Sequence, residues 1–458
     1  MFKFLFKPSI NRSENIRKFF TSYKLLSGSK ICVEQLKNGV TVVTEEQCSP
    51  ITCLSLIVET GPSFENSCNN GISNFIEHLA LSKNDVQESC YNKCIKVDSV
   101  TTREFQRFSA VCPDIHVSES IEILTKFVCD REWDNEDIEL QKNKIYQEAI
   151  DYDNNPKLLV FDYLHQTAFQ GTPLGQSVIG PTTNIARFDK NLICNFMQEN
   201  YQPHRIILVS SGDESHYSIV DRANSTLGYM RPDECKSFNA SPQRYTGSEV
   251  IYRDDSMPYA HVALAVEVPG FNSPEYLPLY VASCLIGSWD RTQGGTNRHG
   301  SPLARAASTS RLCEYFKAFY IPYRDVGLWG VYFIGNAMCL DDMVANIQDQ
   351  WMHMCITTQY TDIEKAINTA KLKLAKRVDG VINSCYNIGL QVLYSSERKS
   401  FTDFMNIYDR VSDIKEDTVK KVCLKYLYDK CPVVAAVGPT EALPHYNRIR
   451  SGMYWLRL

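Results

Sequence analysis

Nothing in this chain approaches the roughly 18 uninterrupted apolar residues that a membrane-spanning helix needs. Runs such as Ile206-Ile207-Leu208-Val209 are strand-sized, so any membrane association has to come through a partner. There is no C-x-x-C pair. The 17 cysteines are odd in number and scattered, Cys90 and Cys94 being the closest two, which argues against a disulfide framework and against a thiolate zinc site. Free thiols in a reducing compartment are the simpler account. A phosphate-binding loop is missing too: Gly294, Gly295 and Gly300 read as a loop, without the strand–GxxxxGK–helix setting. Nor is there a basic excess. With 48 basic and 53 acidic residues the net charge is −5, which gives no general reason to bind nucleic acid.

What is present is ordinary for a folded protein: 44% apolar and 22% charged residues over 458 positions. That length exceeds one core, so two or three domains are expected. The charge is unevenly placed. Residues 1–30 carry Lys3, Lys7, Arg12, Arg17, Lys18, Lys24 and Lys30 against Glu14 alone, leaving the rest of the chain more acidic than the total. Phe2, Leu5, Phe6, Ile10, Ile16, Phe19 and Phe20 interleave with these groups. An apolar stripe beside a cationic one is the pattern of a mitochondrial presequence, although serine is sparse and Lys outnumbers Arg.

An internal repeat organises the remainder. Cys53 to Gly61 and His261 to Gly270 are both apolar strand-like runs containing Val-Glu and closed by a glycine turn. Ile206 to Gly212 and Val433 to Gly438 are a second matching pair. Similarity at a period of about 210 residues is a domain duplication rather than a solenoid. A polar, turn-rich stretch from Ser237 to Ser248 reads as the linker. Val117, Ile121, Leu124 and Val128 have helical spacing, as do Ile363, Ile367, Ala370 and Leu374. Strands at both ends of each half with helices between predict an α+β unit, twice.

Two segments could carry chemistry. In Gly71 to Leu81, Ile72, Phe75, Ile76 and Leu79 form the buried face of a helix, and Asn74, Glu77 and His78 share the neighbouring face. Inverted zinc peptidases use His-x-x-Glu-His in this way, two imidazoles holding the metal and the Glu activating water. Here Asn74 stands at the first position. In the second segment Asp134 is a plausible N-cap, and Ile138, Gln141, Ile145 and Glu148 follow on one face. A Gln and a Glu on an inward stripe need polar partners or a metal.

With these residues in view the chain resembles the pitrilysin-type (M16) zinc-peptidase family. Glu77-His78-Leu79-Ala80, Thr102-Arg103-Glu104 and Gln147-Glu148 are similar to its N-terminal half. The run Phe161 to Leu174, Gly180-Pro181, Asn184, Gly327-Leu-Trp-Gly330 and Asn447 to Arg457 resemble the branch holding processing-peptidase β subunits and core 1 subunits of the cytochrome bc1 complex. The resemblance implies two homologous domains in tandem, each a mixed, mostly antiparallel sheet packed against helices. The expected division is a presequence over 1–30, an N-terminal domain over 33–235, a linker over 236–248 and a C-terminal domain over 249–458. It implies His78 and Glu148 as zinc ligands, Glu77 as general base and Gln141 beside the ligands where active members place a Glu. Asp98 and Arg103 are implied as substrate-binding positions, Asp98 replacing the usual Asn. His165 is expected to pack or cap within its helix, and the remaining histidines show no ligand-like spacing.

The departures at Asn74 and Gln141 weigh toward a scaffold. An amide oxygen is a poor exchange for imidazole at zinc, and a lost charge beside the ligands typically costs ~10–100-fold in affinity. The expectation is therefore a core 1-like structural subunit at the matrix face of the inner membrane, with no cofactor, or zinc if the residual site works. Its partners are expected to be a homologous core 2 or processing-peptidase α-like subunit and other bc1 subunits. The alternative is the β subunit of the processing peptidase, a zinc metalloendopeptidase acting on presequence peptides. Whether the chain is an enzyme stays open at this level. One expectation rests on the head alone: a reporter fused to residues 1–30 should enter the mitochondrial matrix, and the mature chain should begin at about residues 25–35. A reporter that remains cytosolic would remove the targeting argument.

Overall fold

A computed structural model describes residues 30–231, 243–293, 300–395, 398 and 401–454. The basic head up to residue 29, most of the expected linker, Gly294-Gly295 and the last three residues of the C-terminal motif lie outside them. The first sheet holds β1 (Lys30–Gln35), β2 (Thr41–Glu46), β3 (Ile51–Val58), β4 (Lys96–Thr101), β5 (Gln106–Pro113) and β6 (Ile206–Gly212). Its six strands lie in the order β1-β2-β6-β3-β5-β4. The second holds β7 (Glu249–Arg253), β8 (Ala260–Pro269), β9 (Ser288–Asp290), β10 (Tyr315–Pro322), β11 (Val326–Gly335) and β12 (Val433–Gly438). Its order is β7-β12-β8-β11-β10-β9.

The run β2-β6-β3-β5-β4 has the same arrangement as β7-β12-β8-β11-β10. In each, one pair is parallel (β2 with β6, β7 with β12) and the remaining pairs are antiparallel. The two matching runs seen in the sequence are β3 with β8, and β6 with β12. The halves differ at opposite edges, where β1 extends the first sheet and β9 the second.

Side chains alternate across a strand, and here both sets are buried. Leu54, Leu56 and Val58 of β3 and Ile206 and Leu208 of β6 face the helices of their own half, including Ile72–Leu81, Val117–Cys129 and Asn135–Asp153. Cys53, Ile57, Ile207 and Val209 face the other way, onto Cys385, Ile388 and Val392 of the helix Val381–Tyr394, which belongs to the second half. The second sheet repeats the pattern. Val262, Leu264 and Val266 join its own helices, whereas Ala263, Ala265, Val433 and Ala435 meet Val160, Leu164 and Ala168 from the helix Pro156–Ala168 of the first half. Each half therefore lends a helix to the other. Both helices follow the long helix of their half, Asn135–Asp153 or Tyr360–Arg377. Sheets covered on two faces need near-continuous apolar strands, which is why β6 and β12 read as uninterrupted runs.

Local chemistry starts and seats the exchanged helices. Asn155 accepts from the Leu158 N–H, with Pro156 in the first turn. On the other helix Gly389 lies against the first sheet, where an added Cβ would fall 2.5 Å from the Ile57 Cδ1 atom. Polar ties complete the junction. Glu59, buried at the end of β3, pairs with Arg324 at 2.5 Å and with Arg398. Glu45 accepts from Ser384 at 2.6 Å and from Ser211 at 2.8 Å.

Because Leu164 and Ile388 are buried in the partner half, Leu164→Ala and Ile388→Ala should each destabilise the protein by about 2–5 kcal/mol. In denaturant titrations followed by circular dichroism, signals from both halves should move together. A loss under about 1 kcal/mol, or separate transitions in the wild type, would contradict the mutual seating.

Candidate functional site

The site forms where the helices Ile72–Leu81 and Asn135–Asp153 meet beside the edge strand β4. The first helix has no side-chain N-cap, and Gly71 precedes it with φ 96°. Its first turn is instead held by Glu65, whose buried carboxylate accepts from the Gly71 N–H at 2.8 Å, the Ser73 N–H at 2.9 Å and Asn70 Nδ2 at 2.9 Å. An anion suits a helix N-terminus, although burial pushes the Glu65 carboxyl above its usual range against those hydrogen bonds. Ile72, Phe75, Ile76 and Leu79 point into the core as expected, Phe75 meeting Phe188 edge-on at 5.3 Å.

Asn74, Glu77, His78 and Glu148 are brought together. His78 Nε2 lies 2.8 Å from Glu148 Oε2, and Asn74 Nδ2 donates to the same oxygen at 3.4 Å. The hydrogen bond from His78 holds the Glu148 carboxyl below its usual range, against partial burial. That contribution to stability is complete above the ordinary carboxylate range. It is lost as acid passes through the lowered value. Glu77 turns toward β4, its two carboxylate oxygens accepting from Ser99 Oγ at 2.6 Å and from Thr101 Oγ1. Gln141 is 1% exposed, and among the described residues its Nε2 has no hydrogen-bond partner.

The two implied substrate positions separate. Asp98 stands on the outer side of β4 with its side chain 57% exposed, and Arg107 approaches it at 3.9 Å. The Arg107 guanidinium lies over the Tyr386 ring at 3.7 Å, on the helix lent by the second half. Arg103 points into the junction and pairs with Asp162 of the other exchanged helix, only 11% of its side chain exposed. His165, on that same helix, donates from Nδ1 to the Phe161 carbonyl at 2.6 Å, so Nε2 accepts from the Tyr323 hydroxyl at 2.7 Å. Burial, with the Arg103 charge nearby, holds its pKa well below the usual imidazole value. Glu104 continues the tie, accepting from the Arg324 N–H at 3.1 Å.

Sequence reasoning passed over Ser99, Thr101 and Glu65. The stretch from Lys83 to Val100 holds a short helix, Asn84–Asn92, followed by β4. With β4 recognised, the alternation of Asp98, Ser99, Val100 and Thr101 would have placed the two hydroxyls on one face.

Two homologous α+β halves, with a Glu-His helix facing a glutamate-bearing helix, define the class. Family models agree. Insulinase (Peptidase family M16) matches residues 41–182 and Peptidase M16 inactive domain matches residues 187–370. The second match begins before β6 and so crosses from the first sheet into the second. The chain belongs to the M16 peptidase family. It is 34% identical to cytochrome b-c1 complex subunit 1, mitochondrial, of Bos taurus, over 98% of this chain and 95% of that protein. It is 33% identical to mitochondrial-processing peptidase subunit beta of Homo sapiens, over 92% of this chain and 87% of that protein. A chain in the solved structure "Complex III2 from Candida albicans, Inz-5 bound" shares the fold, with a TM-score of 0.84 and 22% identity over 93% of this chain and 100% of that one. Both named relatives are mitochondrial proteins. Among the described residues no helix is long and apolar enough to cross a membrane.

The residues present do not fit the zinc that the family implies. A catalytic zinc takes three protein ligands and keeps a fourth position for water. Glu148 can only accept, so His78 Nε2 carries the hydrogen between them and offers no lone pair. Asn74 turns its N–H toward the same carboxylate. Among the described residues no three His, Cys, Asp or Glu side chains gather as a metal site. The expected measurement is metal analysis by mass spectrometry. Wild type should hold no stoichiometric zinc at micromolar free metal, whereas N74H/Q141E should gain close to one ion. The two substitutions restore a third ligand and the supporting charge. Near-stoichiometric zinc in the wild type would sink the claim that Asn74 disables the site.

Proposed function

We propose that this chain is a core 1-like structural subunit of the mitochondrial cytochrome bc1 complex, descended from a zinc peptidase whose site has decayed. The observation that carries the proposal is the closed Asn74–Glu148–His78 cluster, in which the ligand positions bond to one another. The likeness to subunit 1 of the b-c1 complex over nearly the full chain supports the same assignment. In this proposal residues 1–30 direct import. Domains over 33–235 and 249–458, joined by 236–248, pair with a homologous core 2-like subunit at the matrix face of the inner membrane. Other bc1 subunits complete the assembly. Glu77, His78 and Glu148 are then retained for their hydrogen bonds rather than for hydrolysis.

A second function is favoured by the same three retained residues: the β subunit of the processing peptidase, working with an α-like partner on presequence peptides. There, the exposed edge of β4 with Asp98 would meet substrate, and Arg103 would act by positioning the exchanged helix. Native gels of mitochondria from tissue that expresses the protein separate the two. The core-subunit proposal expects co-migration with cytochrome subunits in a large inner-membrane complex. A complex with one homologous partner and no cytochromes would favour the peptidase. Migration only near 52.2 kDa would count against both.

A further inference from the structure

Glu77 turns away from the His78–Glu148 pair and takes its hydrogen bonds from the edge strand β4. A general base has to lie within hydrogen-bond reach of the proton it takes, so where its carboxylate is held matters. Here each carboxylate oxygen already accepts a hydroxyl, Oε1 from Ser99 at 2.6 Å and Oε2 from Thr101. The two donors sit two positions apart on β4, so both face the helix, while Asp98 and Val100 point outward. Antiparallel pairing with β5 sets their register, Ser99 opposite Phe108 and Thr101 opposite Gln106.

The arrangement is held from behind. A hydroxyl has one hydrogen to donate. Gln106, 1% exposed, donates from Nε2 to Thr101 Oγ1 at 3.0 Å and also to the Ser73 carbonyl, which leaves the threonine hydrogen directed at Glu77. The Tyr201 hydroxyl donates to Gln106 Oε1 and thereby fixes which end of the amide faces Thr101. Tyr201, Gln106, Thr101 and Glu77 thus form one directed chain from the core to the site.

We propose that Ser99 and Thr101 are positioning residues that hold the Glu77 carboxylate against β4. The two hydroxyls fix the direction of the carboxylate and leave each oxygen a further lone pair. The inference rests on the proposal above and adds to it a restraint independent of the ligand positions, because these hydrogen bonds involve neither Asn74 nor Glu148. Glu77 now ties the helix Ile72–Leu81 to the edge strand.

The test is chemical labelling of the intact chain with a water-soluble carbodiimide and an amine, read by peptide mass spectrometry. In the wild type Glu77 should label more slowly than the exposed Asp98. In S99A/T101V its labelling should rise about fivefold, the population change expected when an ordinary hydrogen bond is lost, with Asp98 unchanged. Ser99→Ala alone, a milder change, should give a smaller rise in the same direction and covers the case in which the double variant fails to fold. Wild-type Glu77 labelling as fast as Asp98, or no rise in either variant that folds, would overturn the proposal. Failure of the non-catalytic proposal is a different result: zinc-dependent cleavage of presequence peptides by the wild type, whatever the labelling.

Discussion

The exchange of two helices across the junction carries most of the architecture with it. Each sheet has apolar side chains on both faces, and each half has helices of its own for only one of them. Pro156–Ala168 and Val381–Tyr394 cover the remaining faces reciprocally. Separating the halves would expose Ile57, Ile207 and Val209 on one side and Ala263, Ala265 and Val433 on the other, at about 25 cal/mol for every Å² of apolar surface uncovered. It would also part Glu59 from Arg324 and Arg398, and a buried charge stripped of its partner is strongly destabilising. Exchange therefore makes the two domains a single thermodynamic object, although their sheets are topological copies.

The decayed site depends on that frame. The long helix bearing Glu148 leads directly into the exchanged helix, so its position relative to Ile72–Leu81 is set partly by the second half. Within this fixed geometry, replacing an imidazole with an amide does more than remove a ligand. A carboxylate without a metal draws hydrogen-bond donors, and Asn74 and His78 both supply them to Glu148. Gln141 is buried close by, and among the described residues its Nε2 finds no acceptor. An unsatisfied buried donor costs about 1–3 kcal/mol, which marks this position as one the fold tolerates rather than uses.

Much of this was legible in the linear chain. The 3.6-residue periodicity located the helices around Ile72, Val117, Ile138 and Ile363 because each buries one face, and the repeated strand–glycine runs exposed the duplication. Asn74 and Gln141 stood out because they occupy positions in a motif whose chemistry demands other groups. Arg103 was less readable. Beside Glu104, in a motif shared with peptidases, it looks like a contact for substrate, yet its guanidinium turns into the junction toward Asp162. Arg103 lies in the turn between β4 and β5, where local spacing says nothing about which part of the fold a side chain will meet.

The sequence by itself therefore determined the elements, the tandem repeat and the incompleteness of the ligand set, since each follows from residue type and local spacing. Only the tertiary structure decided how the leftover groups settled. Glu148 turned to His78 and Asn74, Glu77 to Ser99 and Thr101, and the second face of each sheet to a helix of the other half, distant in the chain. Hydrogen bonds and apolar surfaces take whichever partner the fold brings within a few ångströms, and that proximity is not written in any local stretch of residues.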